Sequence, residues 1–400
     1  MSWEKTTVGE IVTTRKGYAF KSSEYVNKGV PVVRVSDYTM DSISDADLKY
    51  YPYDEKQNYI DYELHEKDVI VQTVGSWQNN PASVVGKVVR VPYFLEGALL
   101  NQNAVKIMPA EGIDNNFLFY RLKTEEFKGH VLGEARGAAN QASITLDTIK
   151  SFDFLIPDCL TQKKIGNILS KYDELIENNR KQIKLLEETA QRLYKEWFVD
   201  LRFPDYEDCK IVDGVPVEWK KKKLDEIADV IMGQSPKSEF YNKEHKGLPF
   251  HQGVGSYGAR FVQDDTYSTS FTKVAEANSI LFSVRAPVGR LNITKNKIVI
   301  GRGIAAINSK SGFQSYLFYA LKERFFKDDI LGNGAIFASI SKNELLNQVF
   351  VIPDEKIMSA YEKIAAALDK KIEVVDMQLQ QLVEARDRLL PKLMNGEIEV

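Results

Sequence analysis

The sequence is poor in the residues that build metal centres and thiol chemistry. Its 400 residues include two cysteines, Cys159 and Cys209, and four histidines. The cysteines form no C-x-x-C pair, and no histidine has Asp or Cys at motif spacing, so the pattern disfavours a metal site and a catalytic triad. Two isolated thiols are typical of a reducing compartment, which predicts a cytoplasmic protein.

Long apolar runs and catalytic motifs are also missing. No run approaches the ~18 apolar residues of a membrane span, and no signal peptide is recognisable, which predicts no membrane contact. No Walker A sequence occurs, so an ATPase is unsupported. The sequence Asn79-Asn80-Pro81 continues with Ala82 and so departs from the tetrad of amino-methyltransferases. With 53 basic and 56 acidic side chains the net charge is -3, so any nucleic-acid surface must be a local patch.

The chain does contain a long segment with coiled-coil periodicity. From Asp158 to Phe198, apolar residues recur in alternating steps of three and four, which is the spacing of a coiled-coil seam. Pro157 precedes this segment, and Asp158 is a suitable N-cap. About 40 residues at ~1.5 Å each make a helix roughly 60 Å long, far beyond the average helix of a globular domain. The predicted seam residues are Leu169, Tyr172, Ile176, Ile183, Leu186 and Leu193.

The same helix occurs a second time. At an offset of 196 residues (369 - 173), the sequence Ile-Pro-Asp at 156–158 recurs at 352–354. Each helix is the obvious partner of the other, so we expect an antiparallel pair. Arg386 interrupts the second seam, and Pro391 is expected to kink or end the second helix. The second set of predicted seam residues is Leu368, Ile372, Val375, Leu379, Leu382 and Leu389.

The segments before the helices also repeat, at an offset of 216 (219 - 3) from Trp3 to Tyr25 and from Trp219 to Tyr241, and the second segment is 20 residues shorter (216 - 196). In both, short β-rich runs alternate with Gly/Asn/Ser loops and precede one helix, over 116–129 or 313–327. The fold class predicted is two mixed α/β (α+β) domains, related by an internal pseudo-twofold repeat and separated by a long antiparallel two-helix coiled coil. The expected ranges are a first domain (1–157), a first helix (158–200), a connector with the second domain (201–352), and a second helix with its tail (353–400).

Two short motifs each allow more than one interpretation. Gly253 to Gly258 fits G-x-G-x-x-G, but the residues after it read as a strand and turn, whereas a dinucleotide site needs a helix there. A plain loop, a loop facing DNA and a nucleotide site are the alternatives. The basic run Lys220 to Lys223 is either a solvated face or a phosphate contact.

Polar loops rich in guanidinium and amide side chains are the candidates for binding. Such side chains bond to base edges in a major groove, although the same residue types are common in turns and on surfaces. The candidate DNA-binding residues are Arg34, Ser36, Trp77, Gln78, Asn79, Asn80, Arg136, Asn140 and Gln141 in the first domain, and Gln252, Ser256, Tyr257, Arg260, Arg285 and Arg290 in the second.

With these features the sequence resembles the DNA specificity subunits of type I restriction-modification systems. The paired Ile-Pro-Asp junctions, the segment 193–204 and the closing segment 389–398 carry the resemblance. It implies two target-recognition domains that each read one half of a bipartite site in double-stranded DNA. It also implies no catalytic activity and no cofactor in this subunit. Two modification (methyltransferase) subunits would dock on it and bind S-adenosylmethionine, and the ATP- and Mg-dependent restriction subunits would join through them.

The helices would then set the gap between the half-sites, and their polar outer faces would either dock the modification subunits or be merely solvated. The main alternative is a non-catalytic coiled-coil scaffold whose domains bind protein partners. Such a scaffold would lack the steep salt dependence of a DNA-binding protein. A fused methyltransferase is disfavoured by the missing motifs.

Overall fold

Residues 3–39, 42–77, 83–138, 141–326 and 339–400 are described by the computed structural model of the chain. They fall into two units, of which unit 1 comprises Met1–Asn178 and Gln378–Val400, and unit 2 comprises Asn179–Met377. Both long helices cross from one unit to the other, so each unit holds one domain and a segment of each helix.

The described residues of unit 1 begin with a domain of short strands and four short α-helices. Its strands are β1 (Glu4–Thr7), β2 (Val12–Lys16), β3 (Val30–Val33), β4 (Lys49–Tyr51), β5 (Val69–Gln72), β6 (Val74–Gly75), β7 (Val88–Arg90), β8 (Leu99–Leu100), β9 (Ala104–Pro109), β10 (Arg136–Ala138), β11 (Gln141–Ser143) and β12 (Asp153–Ile156). Its helices are α1 (Val8–Ile11), α2 (Asn115–Leu122), α3 (Glu125–Gly133) and α4 (Leu146–Lys150).

The central sheet of this domain is antiparallel, in the order β2-β9-β5-β7, while β3 pairs with β8 in parallel and β1 pairs with β12. The helices α2 and α3 contribute Phe117, Tyr120 and Phe127 to the core beside the sheet. The prediction of a single helix over 116–129 was wrong, because Thr124 interrupts it and the chain forms two helices. The Thr124 hydroxyl donates to Arg121 O (2.8 Å) and also caps α3, so the chain starts a new helix there.

The first long helix, α5 (Cys159–Phe198), leads into unit 2. The strands of unit 2 are β13 (Ile211–Val212), β14 (Val215–Pro216), β15 (Lys220–Lys223), β16 (Ala228–Met232), β17 (Tyr241–Asn242), β18 (Leu248–His251), β19 (Tyr267–Ser268), β20 (Val274–Ala275), β21 (Ile280–Ser283), β22 (Leu291–Ile293), β23 (Ile298–Ile300), β24 (Ile304–Ser309) and β25 (Val349–Ile352). Its helices are α6 (Leu224–Ile227), α7 (Gln314–Phe326) and α8 (Lys342–Leu346), and the chain ends with the second long helix, α9 (Glu355–Met394).

The frame of unit 2 repeats that of unit 1. The sheet order β16-β24-β21-β22 corresponds to β2-β9-β5-β7, and β18 pairs with β23 in parallel as β3 does with β8. Even the register agrees, because Val12 lies opposite Pro109 while Ala228 lies opposite Ser309. The predicted repeat of two mixed α/β halves is therefore confirmed.

The two long helices pack together in opposite directions. In unit 1 the Arg386 guanidinium donates to Asp173 Oδ1 (2.7 Å), and in unit 2 the Tyr361 hydroxyl donates to Ala190 O (3.4 Å). All twelve predicted seam residues are buried or half-buried, which agrees with the predicted helix pair. The carboxylate of Asp158 accepts the backbone N–H of Leu160 and of Thr161 at 3.0 Å each, as expected of an N-cap.

The expectation that Pro391 kinks or ends the second helix was wrong as to the end, since α9 continues to Met394. Proline lacks one N–H donor, but the carbonyl of Pro391 still accepts the N–H of Asn395 (3.0 Å). The missing bond is the one to the carbonyl of Asp387, so the proline removes a single helical bond near the C-terminal end and the helix continues past it.

Candidate nucleic-acid interface

In unit 1 the fold joins two of the predicted polar loops into one small sheet. The hairpin of β10 and β11 pairs with β6 in the order β10-β11-β6, with Ala142 opposite Gly75. Arg136 and Gln141 are exposed on this hairpin, and Trp77, just after β6, is half-buried against the core. The structure therefore brings together candidates that lie about sixty positions apart in sequence (136 - 77 = 59). Gln78, Asn79, Asn80 and Asn140 lie outside the described residues.

Gly75 is required where this small sheet meets the domain. A Cβ atom at this position would lie 2.3 Å from Ser83 O and 2.5 Å from Gln72 Nε2. Contacts below 3.0 Å force a shift of the chain, so the close approach depends on glycine. The conformation of the hairpin is thus tied to one backbone position.

A second polar loop of unit 1 follows strand β3 and is closed by ionic contacts. The guanidinium of Arg34 donates to Asp37 Oδ1 and to Asp47 O, both at 2.6 Å. Ser36 Oγ donates to the same Asp37 carboxylate (3.3 Å). Arg34 is half-buried and Ser36 is exposed, and the polar atoms of both are engaged within the loop. The two aspartates were not predicted as partners from the sequence, although the i, i+3 spacing of Arg34 and Asp37 is a recognisable signal.

The corresponding loop of unit 2, residues 252–264, follows β18 and is closed by a histidine. His251 is 1% exposed, with Nδ1 2.8 Å from Ser256 Oγ and Nε2 2.9 Å from Asp264 Oδ1. The sequence spacings of five and thirteen residues match no motif, which is why the histidines appeared isolated. No helix begins at Gly258, so the structural requirement of a dinucleotide site is not met there.

The Ser–His–Asp contact resembles a hydrolytic triad only in residue types. In serine hydrolases the aspartate orients the imidazole through Nδ1, and Nε2 takes the proton of the serine. In this loop the two nitrogens have exchanged partners, and Ser256 Oγ also lies 3.3 Å from Gly253 O as a donor. We interpret the group as a brace that holds both ends of loop 252–264 together.

The remaining candidates of unit 2 divide between the surface and the interior. Gln252, Arg285 and Arg290 are exposed, and Arg290 lines a cleft of about 400 Å³ together with Tyr257 and Arg260. Tyr257 is half-buried, and burial raises the pKa of its phenol. Arg260 is 3% exposed, and its contacts are described below. The structure thus places the exposed Arg290 and the buried Arg260 at one cleft.

The other motifs have structural positions. Lys220–Lys223 forms strand β15, which pairs with β25 as β1 pairs with β12. Cys159 and Cys209 are unpaired thiols. Within the described ranges no cluster of three or more His, Cys, Asp and Glu side chains is arranged to hold a metal ion. None of the helices in the same part of the chain is both long and apolar enough for a transmembrane segment.

Comparison with known proteins gives a consistent result. The family described as "Type I restriction modification DNA specificity domain" matches residues 1–188 and 216–385. A putative type I restriction enzyme specificity subunit, MjaX, of Methanocaldococcus jannaschii is 30% identical over 405 residues, covering 100% of this chain and 94% of that protein. The HindI specificity subunit of Haemophilus influenzae is 25% identical over 377 residues, covering 75% of this chain and 80% of that protein.

The fold has a counterpart among solved structures. The crystal structure of a type I restriction-modification S subunit from M. genitalium covers 98% of this chain and 96% of its own, with a TM-score of 0.62 at 17% identity. At this level of identity the likeness concerns the fold alone.

Proposed function

Because this chain belongs to the family of type I restriction-modification DNA specificity subunits, we propose that each of its two units reads one half of a bipartite site in double-stranded DNA. A specificity subunit is the non-catalytic part of its complex. S-adenosylmethionine, ATP and Mg are accordingly assigned to the partner subunits.

One observation carries this proposal: the same frame occurs twice and presents different loops. The sheets pair in equivalent registers, whereas the loop after β3 is closed by Arg34 and the loop after β18 by His251. A frame that repeats while its polar loops differ is suited to the recognition of two different base sequences. Side chains of the loops would bond to base edges, and lysines and arginines around them to phosphates.

The exposed candidates are proposed as base contacts. These are Ser36, Arg136 and Gln141 in unit 1, and Gln252, Arg285 and Arg290 in unit 2. Bidentate bonds from arginine to guanine and from glutamine to adenine are the most informative contacts of this kind. The other candidate residues remain part of the proposed surface, except that Arg260 is buried and is assigned a positioning role below.

The long helices are proposed to set the gap between the half-sites and to dock two modification subunits on their polar outer faces, with restriction subunits joining through these. Exposed charges such as Lys181 and Glu188 of α5 support this role. Reversing both charges is expected to weaken co-purification of the modification subunit. Unaltered assembly would count against these positions.

The test is to co-express the chain with its modification subunit and to map methylated adenines across a genome. We expect a bipartite motif with a fixed gap, of which Gln141→Ala relaxes one half and Gln252→Ala the other. A single contiguous motif, or relaxation of the same half by both variants, would contradict the proposal.

A second measurement distinguishes the proposed DNA-binding function from the alternative of a protein-binding scaffold. DNA affinity of the assembled complex should fall steeply between low and physiological salt, because neutralised phosphates release counterions. Affinity that does not change with salt would favour the scaffold instead.

A further inference from the structure

In both units a tyrosine of the domain donates a hydrogen bond to an aspartate of a long helix. Tyr120 of α2 donates to Asp173 Oδ2 of α5 (2.5 Å), and Tyr319 of α7 donates to Asp369 Oδ1 of α9 (3.0 Å). Burial raises the pKa of both phenols, so both hydroxyls remain protonated donors. The aspartates are equivalent in the repeat, at the offset of 196 (369 - 173). The two copies therefore share one contact between domain and helix.

The arginine that neutralises this aspartate differs between the copies. In unit 1 it is Arg386 of α9, so the ion pair with Asp173 joins helix to helix. The repeat places Ala190 at the corresponding position of α5 (386 - 196 = 190). In unit 2 the cation that pairs with the aspartate is Arg260 of loop 252–264, whose Nη2 donates to Asp369 Oδ1 (2.5 Å). There the ion pair joins a domain loop to a helix.

Arg260 is held from several sides. Its guanidinium lies 3.8 Å from the centre of the Phe318 ring, and its Nη1 lies 3.8 Å from Glu187 Oε1 of α5. A planar guanidinium that stacks on a ring and faces carboxylates of two helices has little freedom to change orientation. Its position is therefore determined by the helices as well as by its own loop.

Lys295 provides a second connection beside the first. Its Nζ lies 2.5 Å from Asp376 Oδ2 of α9 and 4.5 Å from the centre of the Phe261 ring. Asp369 and Asp376 are one heptad apart on α9 and therefore lie on nearly the same face of the helix. The segment 260–261 is thus joined to α9 directly by the ion pair of Arg260, and indirectly by the contact of Phe261 with a lysine that is itself paired with α9.

Loop 252–264 is connected internally, so a constraint on Arg260 reaches the rest of it. The His251 brace closes the loop, Gly258 N donates to Phe261 O (3.1 Å), and Ile293 N donates to Arg260 O (3.0 Å). In unit 1, by contrast, the described residues of the loop after β3 (34–39 and 42–47) make no hydrogen bond or ion pair to α5 or α9. Of these two corresponding loops, as far as their residues are described, the one in unit 2 is attached to a long helix and the one in unit 1 is not.

We propose that Arg260 is a specificity-determining positioning residue which, with Lys295, clamps loop 252–264 to α9 and so sets the orientation in which unit 2 meets its half-site. This inference rests on the proposed function, because it assumes that Gln252 and its neighbours face DNA. Arg260 itself contacts the helices and positions the residues that read the bases.

The test uses the full chain with its modification subunit and scores every base of both half-sites in the methylation map. Arg260→Met keeps an unbranched apolar stem that can still contact the Phe318 ring, but it removes the ion pairs and the cation–π contact. We expect discrimination against single mismatches to fall about tenfold or more in the half-site of unit 2, with the other half-site unchanged. Lys295→Met should act in the same direction with a smaller effect, and Arg260→Lys should restore part of the discrimination.

A matched control lies two residues from Lys295. Lys297 pairs with Glu276 within the domain (2.7 Å), so Lys297→Met removes an ion pair without releasing the loop from α9 and should leave both half-sites unchanged. If Arg260→Met does not fold, Asp369→Asn serves instead, since it keeps an acceptor for Tyr319 while weakening the ion pair.

The outcomes are distinct. A wild-type map without a bipartite motif overturns the proposed function and this inference with it. A normal wild-type motif that Arg260→Met and Asp369→Asn leave intact overturns the inference alone. Equal relaxation of both half-sites by these variants also overturns it, because that result indicates general destabilisation and not loss of positioning.

Discussion

Arg386 allows a sharp test of how the helix pair is stabilised. It stands in the apolar seam of α9, where its side chain is 9% exposed and pairs with Asp173, which is 29% exposed. Replacing it with leucine extends the apolar seam but leaves the aspartate without its cation. Breaking a buried pair costs ~3–5 kcal/mol. Because Asp173 is partly exposed and keeps the hydrogen bond from Tyr120, we expect Arg386→Leu to lower the free energy of unfolding of unit 1 by about 2 to 4 kcal/mol.

A double-mutant cycle tests whether the unpaired charge of Asp173 causes this loss of stability. Adding Asp173→Asn removes the unpaired charge but keeps an acceptor for Tyr120. The free energy of unfolding of the double variant should therefore fall by only about 1 kcal/mol. Arg388→Leu is the control, since its side chain is 77% exposed and its pair with Glu384 should contribute less than about 0.5 kcal/mol. Urea unfolding followed by hydrogen–deuterium exchange separates peptides of unit 1 from those of unit 2. A double variant as unstable as Arg386→Leu would show that the unpaired charge is not the cause.

Three further predictions concern the loops and the helix length, and all use the methylation map. His251→Gln should loosen loop 252–264 and relax only the half-site of unit 2 by about tenfold or more; an unchanged motif would exclude the brace. Gly75→Ala places a Cβ 2.3 Å from Ser83 O and should relax only the other half-site, whereas intact discrimination would show that the hairpin does not read DNA. Deleting residues 177–183 and 373–379, one heptad from each helix, removes about 10 Å of length. At ~34 Å per 10 base pairs this should shorten the gap between the half-sites by about three base pairs. An unchanged gap would contradict the proposal that the helix length sets it.

The helix pair and the repeated frame could be predicted from sequence because both are periodic. Apolar residues at steps of three and four specify a seam whatever surrounds it, and the offset of 196 identifies its partner. The alternation of β-rich runs and loops likewise predicted the class of the two domains. Local capping was less accessible, since Thr124 divides a helix that the apolar pattern treats as continuous.

The partners of individual charged side chains were decided only by the tertiary structure. Arg260 and Asp369 are 109 positions apart, and Arg386 and Asp173 are 213 apart. The repeat aligns the two aspartates but not the two arginines, so no spacing rule links each acid to its base. Sequence periodicity specifies which faces of the helices are apolar, because burial of apolar area follows from the pattern alone. A buried charge instead takes whichever opposite charge the folded backbone brings within a few ångströms.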